Sequence, residues 1–105
     1  MAVKKTFSSF QALLDSSELP VLVDFYATWC GPCQMMASIL EQVNLQISSK
    51  LQVVKIDTDK YPGIASQYQI QALPTLILFK HGKPVSRLEG VVQAPQLLDY
   101  LQRSL

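Results

Sequence analysis

Apolar positions fall along this chain in two rhythms. Residues 21–27, Val-Leu-Val-Asp-Phe-Tyr-Ala, are apolar, aromatic or β-branched with the one exception of Asp24. So continuous a run predicts a strand buried on both faces. After Cys33 the spacing changes. Met35, Met36, Ile39, Leu40, Val43 and Ile47 mark one side of a helix reaching to about Ser49. A second continuous run, residues 75–79, predicts another central strand, and residues 51–57 a third.

The weaker signals fill the gaps. Residues 3–6 suggest a short edge strand guarded by Lys4 and Lys5. Ser8 or Ser9 is placed to cap a helix to about Asp15, with Phe10, Leu13 and Leu14 inward. Tyr61-Pro62-Gly63 opens a short helix with Ile64, Ala65 and Tyr68 inside. Lys80-His81-Gly82-Lys83 reads as a hairpin turn in which Gly82 is free to take a positive φ. The return strand spans residues 84–88, where Pro84 is tolerated only at a strand start or a sheet edge. Gly90 suggests a close approach or a bulge, and Gln93-Ala94-Pro95 starts a last helix with Leu97, Leu98 and Leu101 inward. The order β-α-β-α-β-α-β-β-α predicts the α/β class, a central mixed sheet with helices on both faces.

Composition narrows the picture. A chain of 105 residues, 49% apolar and 16% charged, predicts a single domain over residues 1–105 with a core of its own. The net charge of +1, with no basic cluster, argues against nucleic acid as a partner. No apolar run approaches the roughly 20 residues of a membrane span, so no membrane partner is expected. Residues 1–10 lack the apolar centre of a signal peptide and the Arg-rich, Ser-rich character of a transit peptide. The expectation is a cytoplasmic chain, or a chain mature after import.

The chemistry concentrates where the first buried strand meets the long helix. Trp29-Cys30-Gly31-Pro32-Cys33 holds the only two cysteines and the only tryptophan. Unpaired N–H groups and the summed peptide dipoles make a helix start mildly positive. A thiolate at Cys30 is stabilised there, which makes it the nucleophile. Cys33 follows almost one turn later on the same side, so the pair can close a disulfide. Pro32 suits a first helical turn, and Gly31 leaves room for a large disulfide partner. Trp29, at that turn, is read as one wall of a shallow apolar groove rather than as core. His81 is read as a solvated turn residue, and Met35-Met36 as core or gap filling, with Met35 alternatively at the edge of the groove.

These residues resemble the thioredoxin family. Val23-Asp24-Phe25 before Trp29-Cys30-Gly31-Pro32-Cys33 is similar to its active site. Lys55-Ile56-Asp57-Thr58-Asp59, Ala72-Leu73-Pro74-Thr75 and Gly90 follow in the family's order. Tyr26-Ala27-Thr28, Gln34, residues 53–62 and residues 70–75 look most similar to the y-type members of plastids and cyanobacteria. The resemblance implies a thioredoxin fold of about five strands and about four helices. It implies a protein-disulfide reductase and electron carrier working by dithiol–disulfide exchange, with no cofactor and no metal, as a monomer. Catalytic roles fall to Cys30 and Cys33, to Asp24 as proton acceptor beneath the second cysteine, and to Lys55 beside it. The substrate groove falls to Trp29, Gly31, Pro32, Ala72, Leu73, Pro74, Gly90 and Val91, with Leu73-Pro74 cis against the trans default of about 95% of X–Pro bonds. The implied partners are a ferredoxin- or NADPH-dependent thioredoxin reductase and disulfide-containing clients such as peroxiredoxins and methionine sulfoxide reductases. The implied compartment is a bacterial cytoplasm, such as that of a cyanobacterium, or the plastid stroma.

Two positions depart from the family pattern. Ser38 stands where a helix-bending proline is usual, which predicts a straighter helix, or a milder bend if the Ser38 hydroxyl bonds back to a carbonyl. Gln34 stands where a basic residue is frequent, which removes a cation from the rim of the site. Three other readings remain open on the residues alone: a metal module using Cys30 and Cys33, an oxidase or isomerase, and a scaffold that binds through the same groove. Asp24 also admits a plain structural reading, an ion pair with Lys55 on the neighbouring strand.

Overall fold

The computed structural model of the protein describes residues 9–105. The strand expected at residues 3–6 and a cap from Ser8 lie outside the described residues. Ser9 caps the first helix: its Oγ accepts from the Ala12 N–H at 3.1 Å. The elements that follow are α1 (Phe10–Ser16), β1 (Val21–Tyr26), α2 (Gly31–Ile47), β2 (Gln52–Asp57), α3 (Pro62–Gln67), β3 (Thr75–Lys80), β4 (Lys83–Glu89) and α4 (Ala94–Ser104).

The strands form one mixed sheet in the order β2-β1-β3-β4, so the described residues supply four strands. β1 runs parallel to β2 and antiparallel to β3, and β4 returns antiparallel beside β3. The two central strands are the two continuous apolar runs of the sequence, because only they need apolar side chains on both faces. Alternation along β1 sorts its residues. Val21, Val23 and Phe25 pack with Leu14, Ile77 and Phe79 under α1 and α3. Leu22 packs with Met36, Leu40, Leu78, Leu97 and Leu101 under α2 and α4. Asp24, two residues beyond Leu22, therefore faces α2.

Several expectations need adjusting. Met35 is exposed while Met36 is fully buried, because one residue turns the helix by about 100° and carries Met35 past the edge of the apolar stripe. Tyr68 stands at the C-cap of α3 and faces inward as expected, its ring meeting Phe10, Phe25 and Phe79. α2 ends at Ile47 and runs unbroken through Ser38. Pro84 lies on β4, an edge strand, where its missing N–H faces no partner. Val85 is the extra residue of a bulge, since Phe79 pairs with Pro84 while Leu78 pairs with Ser86. In the hairpin both central residues are left-handed, His81 at φ 53° as well as Gly82 at φ 77°. That is the geometry that matches the twist of a two-residue hairpin.

Candidate active site

β1 ends at Tyr26 and the chain turns through Ala27, Thr28 and Trp29. The Cys30 N–H donates to the Ala27 carbonyl oxygen at 3.3 Å, which closes that turn. Cys30 is the N-cap of α2, with φ −91° and ψ 111°, and its Sγ accepts from the Cys33 N–H at 3.2 Å. The sulfur thus takes the place that a serine or aspartate oxygen takes at an ordinary cap. Pro32 lies in the first turn, where no intrahelical N–H bond is lost. Cys30 and Cys33 are joined in a disulfide with Cα atoms 5.2 Å apart. Both are buried, at 6% and 3% exposure.

The pair packs against Ala27, Tyr26 and Leu73. Leu73-Pro74 is cis, as the resemblance implied. This loop is held from two sides. Thr75 Oγ1 donates to the Ala72 carbonyl, and the Gly90 N–H donates to the Pro74 carbonyl at 2.8 Å. Gly90 has φ 84°, yet a Cβ built on it would meet nothing within 4 Å. Its glycine character is therefore conformational, and the close approach expected there is not found. Ala72 is exposed, Leu73 and Val91 are half-buried, and Pro74 is buried. So the elements carrying the expected groove residues converge on one end of the sheet.

Trp29 is 71% exposed, which rules it out as core. Its Nε1–H donates to Asp59 Oδ2 at 2.7 Å. Asp59 is itself fixed, because Asp57 Oδ1 accepts from the Asp59 N–H at 3.0 Å. The connection is tied to β1, since the Thr58 N–H and hydroxyl both donate to the Tyr26 carbonyl, at 2.9 and 3.1 Å. Nothing in the local sequence of Asp57-Thr58-Asp59 marks it as more than a polar connection. A signal was present: an indole beside a reactive cysteine needs an acceptor if it is to stand in solvent in one orientation.

Asp24 has no exposed surface, and neither carboxylate oxygen has a hydrogen-bond partner among the described residues. Burial pushes its pKa up to about 6, and the positive charge of Lys55 opposes that rise. The two residues share a rung of the β1–β2 ladder. They do not form an ion pair, however. Lys55 is exposed, with Nζ 4.9 Å from the centre of the Tyr26 ring. The structural ion pair is thus replaced by a longer-range influence. Beside Cys33 opens a cavity of about 200 Å³ whose lining includes Ala27, Gln34, Ala37 and Lys55. His81 is exposed in its hairpin at the other end of the sheet. Among the described residues no three His, Cys, Asp or Glu side chains are grouped to hold one metal ion. None of the described helices is long and apolar enough to cross a membrane.

Comparison with known proteins agrees with this geometry. The family model described as Thioredoxin matches residues 1–103. A thioredoxin-like protein of Synechocystis sp. is 69% identical over 102 residues, which cover 97% of this chain and 97% of that one. Chloroplastic thioredoxin Y of Oryza sativa is 60% identical over 104 residues, covering 99% of this chain and 62% of its own. Chloroplastic thioredoxin Y1 of Arabidopsis thaliana is 58% identical, with coverages of 99% and 60%. The chain thus spans about three-fifths of the length of these two plant relatives. The similarity to the y-type is borne out by these matches. With the Cys30–Cys33 pair at the head of α2 and a match along nearly its whole length, this chain belongs to the thioredoxin family.

Proposed function

We propose that the protein is a general protein-disulfide reductase and electron carrier, working as one domain and as a monomer. The observation that carries the reading is the position of Cys30: its sulfur caps α2 and already accepts the Cys33 N–H. The groups that hold that sulfur stabilise a thiolate in the reduced protein.

The steps balance as follows. The Cys30 thiolate attacks one sulfur of a client disulfide, and the other client sulfur leaves as a thiolate. Cys33 then gives its proton toward Asp24 and attacks Cys30 Sγ. The client's second thiolate leaves, and the protein carries the Cys30–Cys33 disulfide. The client gains two electrons and the protein loses two. Asp24 suits the proton step because a pKa of about 6 makes it an effective base near neutral pH. Lys55 favours the ionised carboxylate and so keeps the base available. The backbone of Leu73, beside the disulfide, offers an N–H and a C=O to an extended client segment. Trp29, Gly31, Pro32, Ala72, Pro74, Gly90 and Val91 shape the groove around it.

A thioredoxin reductase, ferredoxin- or NADPH-dependent, returns the two electrons. Peroxiredoxins and methionine sulfoxide reductases are the clients that the y-type similarity favours. Cyanobacterial and chloroplastic relatives support a bacterial cytoplasm or the plastid stroma as the compartment. Reduction of insulin with dithiothreitol as donor tests the reading. The parent accelerates it and Cys30→Ser does not. If neither accelerates it while both thiols titrate as free and accessible, the reductase reading is wrong.

A further inference from the structure

Two segments pack together at the disulfide, a third joins them through the Gly90–Pro74 hydrogen bond, and none of the three carries a charge. Residues 25–40, 61–79 and 90–98 contain no Asp, Glu, Lys, Arg or His. They supply the turn before Cys30 and the first half of α2, then α3 with the cis loop, then the connection into α4. Their exposed side chains are amides, apolar groups and a few hydroxyls, among them Trp29, Gln34, Met35, Ser66, Gln71 and Gln93. An open cleft of about 690 Å³ extends this face past α3, bordered by Thr58, Ser66, Gln69 and Gln71, and its lining is likewise uncharged.

The exposed charges at the end of β2 are balanced and engaged, while the buried Asp24 adds one negative charge beneath α2 when it ionises. At the end of β2 stand Lys55, Asp57, Asp59 and Lys60, two of each sign. Asp59 holds the Trp29 indole, and Asp57 accepts from the N–H groups of Asp59 and Lys60. Lys55 and Lys60 lie over the rings of Tyr26 and Tyr61. Glu89, just before Gly90, shares its face of β4 with Arg87, whose guanidinium donates to the carbonyls of Tyr68 and Gln69.

We propose that this face selects disulfides set in extended segments with uncharged flanks, and that it meets them without electrostatic steering. The inference rests on the reductase reading and names the substrate class of the same site. A charged flank pressed against amides and apolar groups loses hydration and finds no opposite charge, whereas an uncharged flank loses little. At a distance the balanced exposed set adds little to the field of the single buried Asp24 carboxylate, and beyond about 8 Å salt screens what is left. Encounter then depends on diffusion and shape rather than on attraction between opposite charges.

Stopped-flow reduction tests this, read by the fluorescence of Trp29, the chain's sole indole. Three peptides carry the same disulfide with flanks of Gln and Leu, of Lys, or of Glu. Each rate constant is divided by that for dithiothreitol, which removes the intrinsic reactivity of the peptide. At about 500 mM salt, where steering is screened, the uncharged peptide reacts several-fold faster than either charged one. Its rate constant changes by less than about two-fold between about 20 and about 500 mM salt. Gln34→Lys raises the rate of the Glu peptide at low salt, and that gain disappears at high salt. Equal rates for the three peptides, or a charged peptide ahead of the uncharged one, overturn the proposal. So does a Gln34→Lys protein with no gain toward the Glu peptide. Failure to reduce any of the peptides would instead remove the reductase reading on which the proposal stands.

Discussion

Gly82 and Gly31 sit at opposite ends of the sheet, and the chain uses them in opposite ways. Gly82 is buried in the β3–β4 turn at φ 77°, and a Cβ there would lie 2.2 Å from Asp15 Oδ1. Its carbonyl accepts from Gln11 Nε2 at 3.0 Å, and the same amide donates to Asp15. Gly31 is exposed at the start of α2, is not among the positive-φ residues, and a Cβ there would meet nothing within 4 Å. The hairpin end is crowded, and its Gly82 carbonyl, Gln11 amide and Asp15 carboxylate are paired with one another. The disulfide end leaves open space above Gly31 and, beneath α2, a carboxylate with no partner. One end of the sheet is built for stability, and the other gives up stability for chemistry.

Removing the unpaired carboxylate would break that contrast most. The folded pKa of Asp24, about 6, lies above its ordinary 3.8. Below the ordinary value both folded and unfolded chains are protonated there, and no penalty exists. As pH rises from about 4 to about 6 the unfolded chain ionises first, so stability falls, and above about 6 the loss is complete. The shift corresponds to roughly 3 kcal/mol at pH 8. Asp24→Asn, which keeps the shape and removes the charge, is expected to be more stable than the parent by up to about that amount at pH 8 and nearly equal to it at pH 4. Urea unfolding of the oxidised proteins at the two pH values measures this. A stability difference that did not change with pH would mean that the carboxylate is not charged at a cost. The same variant should release the mixed disulfide more slowly near neutral pH, which links the instability to the proton step.

The hairpin end responds in the other direction. Gly82→Ala must hold a side chain at positive φ and displace Asp15, so it is expected to destabilise by about 2 kcal/mol. The rate of insulin reduction per folded molecule should not change, because no site residue is near. Ser9→Ala removes the side-chain cap of α1, and a loss of about 1 kcal/mol is expected. Urea midpoints decide both. If Gly82→Ala changed the reduction rate of the folded protein, the two ends would be coupled and the contrast between them would fail.

How far the sequence discloses this structure follows the same division. The central strands are visible because burial on both faces leaves an uninterrupted apolar run, as in residues 21–27 and 75–79. α2 is visible because its stripe persists for several turns, yet the stripe alone does not decide between core and groove edge for Met35, since that depends on what packs against it. The cysteines and the cap geometry follow from local rules. What local rules miss is contact between segments distant in sequence. The Trp29–Asp59 bond joins residues thirty apart, and the Gly90–Pro74 bond joins two loops. The left-handed His81 is hard to see in the sequence because histidine, unlike Gly82, rarely takes positive φ, although a two-residue hairpin of this type needs both. The cis Leu73-Pro74 bond came from the resemblance and not from the residues, since most X–Pro bonds are trans.

The smallest expected effect sharpens the comparison furthest. Gly31→Ala adds one methyl group over open space at a helix start where alanine is acceptable, so stability should change by less than about 0.5 kcal/mol. A small disulfide approaches Cys30 with little bulk, whereas a folded client brings a surface that must lie across Gly31 and Pro32. The methyl group should therefore slow a folded protein client more than it slows a small disulfide. Second-order rate constants for the two substrates, measured on the same variant, give the ratio directly. A lowered ratio with an unchanged urea midpoint would mean that the open space above Gly31 is reserved for the client. An unchanged ratio would mean that clients reach Cys30 from another side, and the groove between Trp29 and the Ala72–Pro74 loop would have to be redrawn.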